Sequence, residues 1–201
     1  MQRLSATGRL PDTIGMNAPD LTHHFLIAMP SLADPNFSRT VTYLCQHDAD
    51  GALGIVINRP TDVRLDELLQ HLELSDPDPA VAEQPVLLGG PVQRERGFVL
   101  HRHDQDWDAS LPVADDIVLT TSKDILAAIA RGAGPNDYVV ALGYAGWGPG
   151  QLEQELAENS WLSGPASADV LFNVPFEQRW QAAASLLGVD ISLLSTTAGR
   201  A

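Results

Sequence analysis

Short apolar runs alternate with turn-forming residues along the chain, and this pattern predicts a fold rich in β-strands. The runs that begin at Phe25, Thr40 and Leu53 are bounded by proline, asparagine, aspartate or glycine, as expected of short buried strands. The second and third runs are joined by Asp48-Ala49-Asp50-Gly51, a turn sequence that predicts an antiparallel hairpin. Further strands are predicted at residues 86–88, 97–101, 117–120, 138–142, 161–162 and 170–172.

Other segments have the apolar period of amphipathic helices. In the clearest of them, four leucines follow the i, i+3, i+4, i+7 pattern that places apolar side chains on one helix face. These leucines are Leu65, Leu68, Leu69 and Leu72. Three more helices are predicted to follow Thr121, Pro149 and Pro175, because threonine can cap a helix and proline suits its first turn. The strands and helices together predict the α+β class.

The distribution of these elements predicts one domain with short irregular ends. Residues 1–20 are interpreted as a flexible leader, residues 21–190 as a single domain and residues 191–201 as a loose tail. No linker divides the chain of 201 residues, and its 44% hydrophobic content is enough for one core. The leader has no apolar stretch of the secretory kind, and no segment reaches the length of a membrane span. With Cys45 as the single cysteine, a reducing cytoplasm is predicted.

The charge of the chain argues against direct binding to nucleic acid. The formal net charge is −14, with 12 basic and 26 acidic residues, whereas affinity for DNA depends on cationic side chains that displace counterions from phosphates. The densest group of arginines, Arg94, Arg96 and Arg102, is interleaved with acidic residues. A partner other than DNA, either a protein or a small ligand, is therefore expected.

The glycine-rich segment 143–150 is the most distinctive part of the sequence. It follows a predicted strand and precedes a predicted helix, where main-chain N–H groups can hold an anion. Its glycine spacing matches neither the dinucleotide fingerprint nor the P-loop. Pro149 removes one N–H donor, and Glu153 and Glu155 would repel a phosphate. Two readings stay open: a structural turn, or a ligand or partner contact centred on Gly146-Trp147.

The residues that could carry catalysis or bind a metal form no complete set. His101 and His103 could face the same side of a strand, but zinc needs further ligands, so solvated histidines at a strand end are the preferred interpretation. Cys45 is read as a small buried residue rather than a reactive thiol, and Asp115-Asp116 as part of a solvated loop. No catalytic residue, metal site or cofactor is predicted.

Residues at the ends of predicted strands are the candidates for a binding site. Asn58-Arg59 combines an amide with a guanidinium fork, which suits either a bound carboxylate or an internal brace to an acidic residue. Gly89-Gly90 follows another strand, and Gly146-Trp147 a third. Because ligands often bind at strand ends, these six residues are predicted to line a pocket for a ligand or partner.

Five of these segments, in this order, resemble the AlgH-like proteins of bacteria. The resemblance covers roughly residues 21 to 190. It is carried by Phe25-Leu26-Ile27-Ala28-Met29-Pro30, by Asp34-Pro35-Asn36-Phe37 with Arg39-Thr40-Val41, by Gly54-Ile55-Val56-Ile57-Asn58-Arg59-Pro60, by Gly89-Gly90-Pro91-Val92, and by Gly143-Tyr144-Ala145-Gly146-Trp147 with Gly150-Gln151-Leu152-Glu153.

The resemblance implies an α+β fold with a bifurcated, barrel-like, largely antiparallel sheet flanked by about four helices, in a cytosolic bacterial protein. It implies no settled activity and supplies no catalytic residues, although some members are described as transcriptional regulators. The leading hypothesis is a non-enzymatic regulatory or interaction protein that acts through a protein partner or small ligand. The alternatives are an enzyme or ligand-binding protein with a pocket at the strand ends, and a direct transcriptional regulator. The oligomeric state stays open.

Overall fold

The computed structural model describes residues 19–74 and 77–194, and ten strands in this part of the chain form one curled sheet. The strands are β1 (His24–Ala28), β2 (Val41–Asp48), β3 (Gly51–Val56), β4 (Pro60–Arg64), β5 (Pro85–Leu88), β6 (Val92–Arg102), β7 (Ser110–Ala114), β8 (Ile117–Thr120), β9 (Tyr138–Trp147) and β10 (Trp161–Pro165). Their main order is β10-β1-β2-β3-β9-β6-β8-β7, and β4 and β5 branch off at β9.

Six short α-helices and two 3₁₀ turns lie among the described residues. The helices are α1 (Leu65–His71), α2 (Pro79–Ala82), α3 (Lys123–Ala130), α4 (Gln151–Ala157), α5 (Ala168–Phe172) and α6 (Arg179–Leu186), and the 3₁₀ turns are Phe176–Gln178 and Ile191–Leu193. The four predicted helices correspond to α1, α3, α4 and α6. The single-turn helices α2 and α5 are additional.

The long strand β9 divides the sheet into two branches. Near its start, β9 pairs antiparallel with β6 and parallel with β5, where Leu87 lies opposite Ala141. Near its end, it pairs antiparallel with β3, where Ala52 lies opposite Trp147. Most pairings are antiparallel and the sheet curls into a half-barrel, so the predicted α+β class with a bifurcated, barrel-like sheet is confirmed.

Helices cover both branches of the sheet and complete its core. On one branch, the predicted leucine stripe of α1 is confirmed, because Leu65 and Leu69 are buried against Ile125 and Ile129 of α3. On the other branch, α5 and α6 pack against the strands of the β1–β2–β3 meander. The amphipathic period thus fixes which face of each helix meets the sheet.

The glycine-rich segment is mostly strand rather than turn, which corrects the predicted structure of residues 143–150. Strand β9 continues to Trp147, and only the residues just before α4 form a turn. A Cβ atom at Gly143 would lie 2.6 Å from the Gly90 carbonyl oxygen, and one at Gly90 would lie 2.1 Å from the Tyr144 carbonyl carbon. The glycines are therefore needed because two main chains pass each other closely here.

Two other predicted elements differ in the structure. Residues 170–172 belong to helix α5 rather than to a strand, and Val170 and Leu171 are buried against the core in that form. Residues 103–112 are predicted from the sequence to be an acidic loop, but Ser110–Ala114 form the edge strand β7 beside β8. In both cases, packing against neighbouring elements outweighs local preference.

The predicted domain ends fall largely outside the described residues. The leader prediction concerns residues 1–20, of which only Pro19 and Asp20 are described. Within the predicted tail, Ile191 is buried at 2% exposure and Leu194 packs against the same core. The packed domain therefore extends past residue 190, and residues 195–201 lie outside the described part.

Candidate functional site

The predicted site residues Asn58 and Arg59 brace a neighbouring loop. The side-chain Nδ2 of Asn58 donates to the carbonyl oxygen of Arg39 at 2.9 Å. Arg59 donates from Nη1 and Nη2 to the carbonyl oxygens of Pro35 and Ser38 at 2.7 and 3.0 Å. The brace considered from the sequence is thus present, but its acceptors are main-chain carbonyls rather than acidic side chains.

Gly89-Gly90 lies next to this brace through main-chain hydrogen bonds. The carbonyl oxygen of Arg59 accepts from the N–H of Leu88 at 2.8 Å, and that of Gly89 accepts from Val56 at 2.8 Å. The N–H of Gly89 donates to Leu142 of β9. The structure therefore brings Asn58-Arg59 and Gly89-Gly90 together where strands cross, in a densely bonded main-chain junction.

Gly146 and Trp147 border a separate cleft of about 290 Å³, whose rim carries Asp48 and Asp50. Asn58, Arg59, Gly89 and Gly90 do not line this cleft. The indole of Trp147 is buried, and its Nε1 donates to the Glu155 carboxylate at 2.9 Å. The same carboxylate oxygen accepts from Nε1 of Trp161 at 2.8 Å.

Glu155 thus holds two indoles together between α4, β9 and β10, and we name these three residues the Glu155 clamp. From the sequence, Glu155 was expected to repel an anion at the start of the helix. In the structure, its carboxylate accepts hydrogen bonds from the two indoles. Trp147 contributes its indole to this clamp and to the wall of the cleft.

The paired histidines are not both solvated, which corrects the prediction for His101. His101 is fully buried; its Nδ1 donates to the Arg102 carbonyl at 2.8 Å, so its Nε2 accepts from the Thr120 hydroxyl at 2.9 Å. Burial lowers the pKa of this imidazole below its ordinary value. His103 is exposed, with Nε2 3.5 Å from Asp106. Among the described residues, no group of three or more histidine, cysteine or acidic side chains is arranged to hold a metal.

Cys45 lies within β2 rather than at its end, and it is buried in the core. Burial raises the pKa of its thiol, which makes the reactive thiolate scarce at neutral pH. Asp115 and Asp116 are exposed, as predicted for a solvated loop, and Asp116 forms an ion pair with Arg102.

A second cavity, which the sequence did not indicate, lies between the sheet and the C-terminal helices. It has a volume of about 350 Å³, and we call it the Arg179 cavity. Its walls come from α1, β5, β9, α5 and the start of α6. The lining residues are Leu65, Gln84, Pro85, Leu87, Asn136, Asp137, Tyr138, Val139, Val140, Phe172, Phe176 and Arg179.

Arg179 is the one cation in the lining, and it is 2% exposed. Its Nε donates to the Val174 carbonyl at 2.9 Å, and Nη1 donates to the Ile57 carbonyl at 2.6 Å. The guanidinium carbon lies 4.4 Å from the centroid of the Phe176 ring. Burial lowers the pKa of Arg179 to about 10, so the group stays charged at neutral pH.

No carboxylate of the described residues forms an ion pair with Arg179. The acidic side chain in the lining, Asp137, accepts from Nε of Arg102 at 2.8 Å and shares that guanidinium with Asp116. A buried charge without a counter-ion is costly and is usually paired. Arg179 therefore leaves one positive charge facing the cavity.

Tyr138 also lines the cavity, and its hydroxyl is buried in the surrounding core. This oxygen is buried and has no hydrogen-bond partner of acceptable geometry. Burial raises the pKa of the phenol, and the side chain of Gln84 opposes that shift. Buried polar groups are nearly always satisfied in folded proteins, so this orphaned hydroxyl lowers the stability of the fold.

The sequence contained one usable signal for this site. The sequence predicts a buried side for the helix that follows Pro175, formed by Phe176, Trp180, Ala183, Ala184 and Leu187. Arg179 stands three residues after Phe176 and four before Ala183, which is a position of the same apolar stripe. An arginine in such a stripe is unusual, because arginine is seldom fully buried without a partner.

The comparisons with known proteins place this architecture in a family. The profile of the AlgH-like family matches residues 25–192. The chain belongs to the AlgH-like family. Two AlgH-like relatives are the UPF0301 proteins of Nitrosococcus oceani and Thioalkalivibrio sulfidiphilus. The first is 59% identical over 179 residues, covering 89% of this chain and 96% of the relative. The second is 57% identical over 182 residues, covering 90% and 97%.

Solved structures agree with the AlgH-like fold. The solution structure of the AlgH protein from Pseudomonas aeruginosa superposes with a TM-score of 0.75 at 46% identity, covering 100% of both chains. A crystal structure of a Corynebacterium diphtheriae protein gives a TM-score of 0.68 at 22% identity, covering 90% of this chain and 94% of that one, and shows similarity of fold alone. Among the described residues, none of the helices has the length and apolar character needed to cross a membrane.

Proposed function

We propose that this AlgH-like protein is a cytosolic, non-enzymatic regulatory protein that acts by binding a small ligand in the Arg179 cavity. The observation that carries the proposal is the buried charge of Arg179, which lines the cavity and has no carboxylate partner among the described residues. Of the partner classes expected from the sequence, a protein or a small ligand, this unpaired charge favours the small ligand.

The size and lining of the cavity suit a small organic molecule. Ligand pockets usually span roughly 300–1,000 Å³ and combine apolar walls with a few placed polar groups. At about 350 Å³, the Arg179 cavity lies at the small end of that range. Asn136 is exposed and also lines the cavity, so it marks the mouth through which a ligand enters.

The reactive side chains favour binding over catalysis. The thiol of Cys45 is buried, and burial raises its pKa. Both ring nitrogens of His101 are occupied by hydrogen bonds in the core. General acid–base or nucleophilic catalysis needs such groups free and within reach of a substrate.

The proposal is tested by screening small metabolites against the full chain, with thermal unfolding and amide chemical shifts as the readouts. A ligand at 100 times its Kd adds about 2.7 kcal/mol of stability, and the perturbed amides are expected around the Arg179 cavity. Substitution Asn136→Trp at the mouth is expected to abolish the response. Gln70→Trp is the matched control, because Gln70 is an exposed amide on α1 that does not line the cavity.

Two outcomes would contradict the proposal. One is the absence of any stabilising compound among organic acids, sugars and nucleotides. The other is a response that Asn136→Trp leaves unchanged, since the ligand would then bind elsewhere. Turnover of a compound, lost on blocking the mouth, would favour the enzyme alternative.

A further inference from the structure

We propose that the ligand of the Arg179 cavity is a small monocarboxylic acid with an apolar body, whose carboxylate binds the Arg179 guanidinium. This inference rests on the ligand-binding function proposed above and names the chemical class of the ligand. It follows from the unused donors of Arg179, from the charge in the cavity and from its walls.

The guanidinium of Arg179 has donors to spare. Arginine carries five N–H donors in a planar fork. Val174 and Ile57 each accept one of them, through Nε and Nη1. Nη2 forms no hydrogen bond with any described residue, and Arg179 lines the cavity. A carboxylate is the planar acceptor that matches such a fork.

The unpaired positive charge of Arg179 favours a ligand that carries one negative charge. Arg179 supplies one cation, and Asp137 is bound by Arg102, which lies outside the lining and also pairs with Asp116. A phosphate monoester, which carries nearly two negative charges at neutral pH, would leave an excess negative charge beside Asp137. The chain has 26 acidic residues, yet none of those described forms an ion pair with Arg179. The ligand's carboxylate would therefore be the counter-ion of Arg179.

The walls of the Arg179 cavity indicate the chemical character of the ligand's remaining part. Leu65, Leu87, Val139 and Phe172 form apolar surface, which favours an aromatic or aliphatic body over a sugar. The ring of Phe176 lies against the guanidinium, so the carboxylate approaches the edge of the fork.

The test compares acids with their neutral amides on the full chain. The probes are benzoate, phenylacetate and hexanoate, each paired with its amide, and phenyl phosphate as the dianion. Isothermal titration gives the affinities, and the Nε–H resonance of Arg179 reports contact directly. We expect at least one carboxylate to bind and shift this resonance, with its amide and phenyl phosphate at least about 10-fold weaker.

Arg179→Gln is expected to weaken carboxylate binding by about 30-fold or more, as loss of one partner of a buried charge pair does. Arg131→Gln is the matched control, because Arg131 is exposed and does not line the cavity. If Arg179→Gln does not fold, the acid–amide comparison and the Arg179 resonance in the wild-type chain still decide the question.

The failures of the two proposals are distinguishable. Equal affinity for acid and amide, or a carboxylate that leaves the Arg179 resonance unshifted, overturns the monocarboxylate assignment. If a neutral compound nevertheless binds and Asn136→Trp blocks it, the ligand-binding function stands. If none of the probe carboxylates binds, the assignment is overturned irrespective of the other results.

Discussion

His101 and His103 are separated by one residue, yet they lie in opposite surroundings. His101 is a buried residue of β6, and its ring nitrogens are hydrogen-bonded to the Arg102 carbonyl and to Thr120 of β8. His103 lies in the exposed loop that follows β6. The two imidazoles therefore lie in chemically different surroundings. Substituting each one separately distinguishes their contributions to stability.

His101 makes the fold sensitive to acid. Its folded-state pKa lies below the ordinary 6.5, so the unfolded chain binds the proton more readily, and stability is lost as pH falls below that ordinary value. We expect His101→Gln to cost about 1–3 kcal/mol near neutral pH, through lost buried hydrogen bonds, and to flatten the decline below about pH 6.

Urea unfolding at about pH 7.5 and about pH 5.5 measures both effects. His103→Gln is the control, and it is expected to leave the stability nearly unchanged because His103 is exposed. A decline of the same steepness in wild type and His101→Gln would assign the acid sensitivity to other groups, among them His23, whose pKa burial also lowers.

Individual residues also show which features of the structure could be predicted from the sequence and which could not. The apolar period locates Leu65 and Leu69 correctly, because their burial follows from helix geometry alone. The environment of Arg179 depends on Ile57, which is 122 residues away in sequence. No local pattern encodes such a pairing, so the uncompensated charge becomes visible only in three dimensions.

At the scale of the elements, strand β9 passes so close to the main chain at Gly90 that this position requires glycine. A methyl group at Gly90 would lie 2.1 Å from the Tyr144 main chain, whereas one at Gly97 would meet nothing within 4 Å. We expect Gly90→Ala to cost about 3 kcal/mol or more, because main-chain atoms cannot move aside as side chains can. Gly97→Ala is expected to be neutral or slightly stabilising.

The two glycine variants are compared by thermal unfolding under identical conditions. Similar melting temperatures for Gly90→Ala and wild type would contradict the close approach of β9 to residue 90. If Gly90→Ala yields no soluble protein while Gly97→Ala does, the contrast supports the same conclusion.

The Glu155 clamp fastens helix α4 to the end of the sheet. One carboxylate oxygen accepts from the indoles of Trp147 and Trp161, and the other from Gln151 at 2.9 Å. We expect Glu155→Ala to cost about 2–4 kcal/mol, since hydrogen bonds to a charged group contribute more than neutral ones. Tryptophan fluorescence should change as the indoles lose their acceptor.

Glu158→Ala is the matched control for the clamp. Glu158 is exposed at the end of α4, and its carboxylate accepts from Gln154 at 2.9 Å on the helix surface. A change of about 0.5 kcal/mol or less is expected there. Equal costs at the two positions would show that Glu155 contributes no more than a surface helix pair.

Elements were predictable where local signals and packing agreed. The Asp48–Gly51 turn and its flanking runs form the β2–β3 hairpin as predicted. Segment 143–150 was predicted as a turn because glycine usually marks turns, whereas here it allows β9 to pass Gly90. Residues 170–172 have strand-forming side chains but fold as α5, since their burial is achieved from a helix.

At the scale of the whole molecule, the negative charge bears on regulation. With a formal net charge of −14, the chain is repelled by nucleic acid at long range. We expect no mobility shift with duplex DNA at physiological salt, with or without a carboxylate ligand. A shift with a Kd below about 1 μM would favour the direct-regulator alternative over the proposed function.

The predicted pocket and the observed cavity differ for a reason of topology. The sequence predicted that Asn58, Gly89 and Trp147 line one pocket, because each follows a predicted strand. In the structure, the first two belong to a main-chain crossing, and the third lines a different cleft. The Arg179 cavity is formed by elements that are distant in sequence, so the order of segments along the chain could not indicate it.

The position of helix α6 affects how the protein folds during synthesis. Trp180 donates to the Ala28 carbonyl, 152 residues away, and Arg179 donates to the Ile57 carbonyl. Strand β1 also pairs with β10. A ribosome must therefore release almost the entire chain before the first strands gain these partners. Because long-range closure slows folding and exposes apolar surface meanwhile, the nascent N-terminal strands are the segment on which chaperones would act.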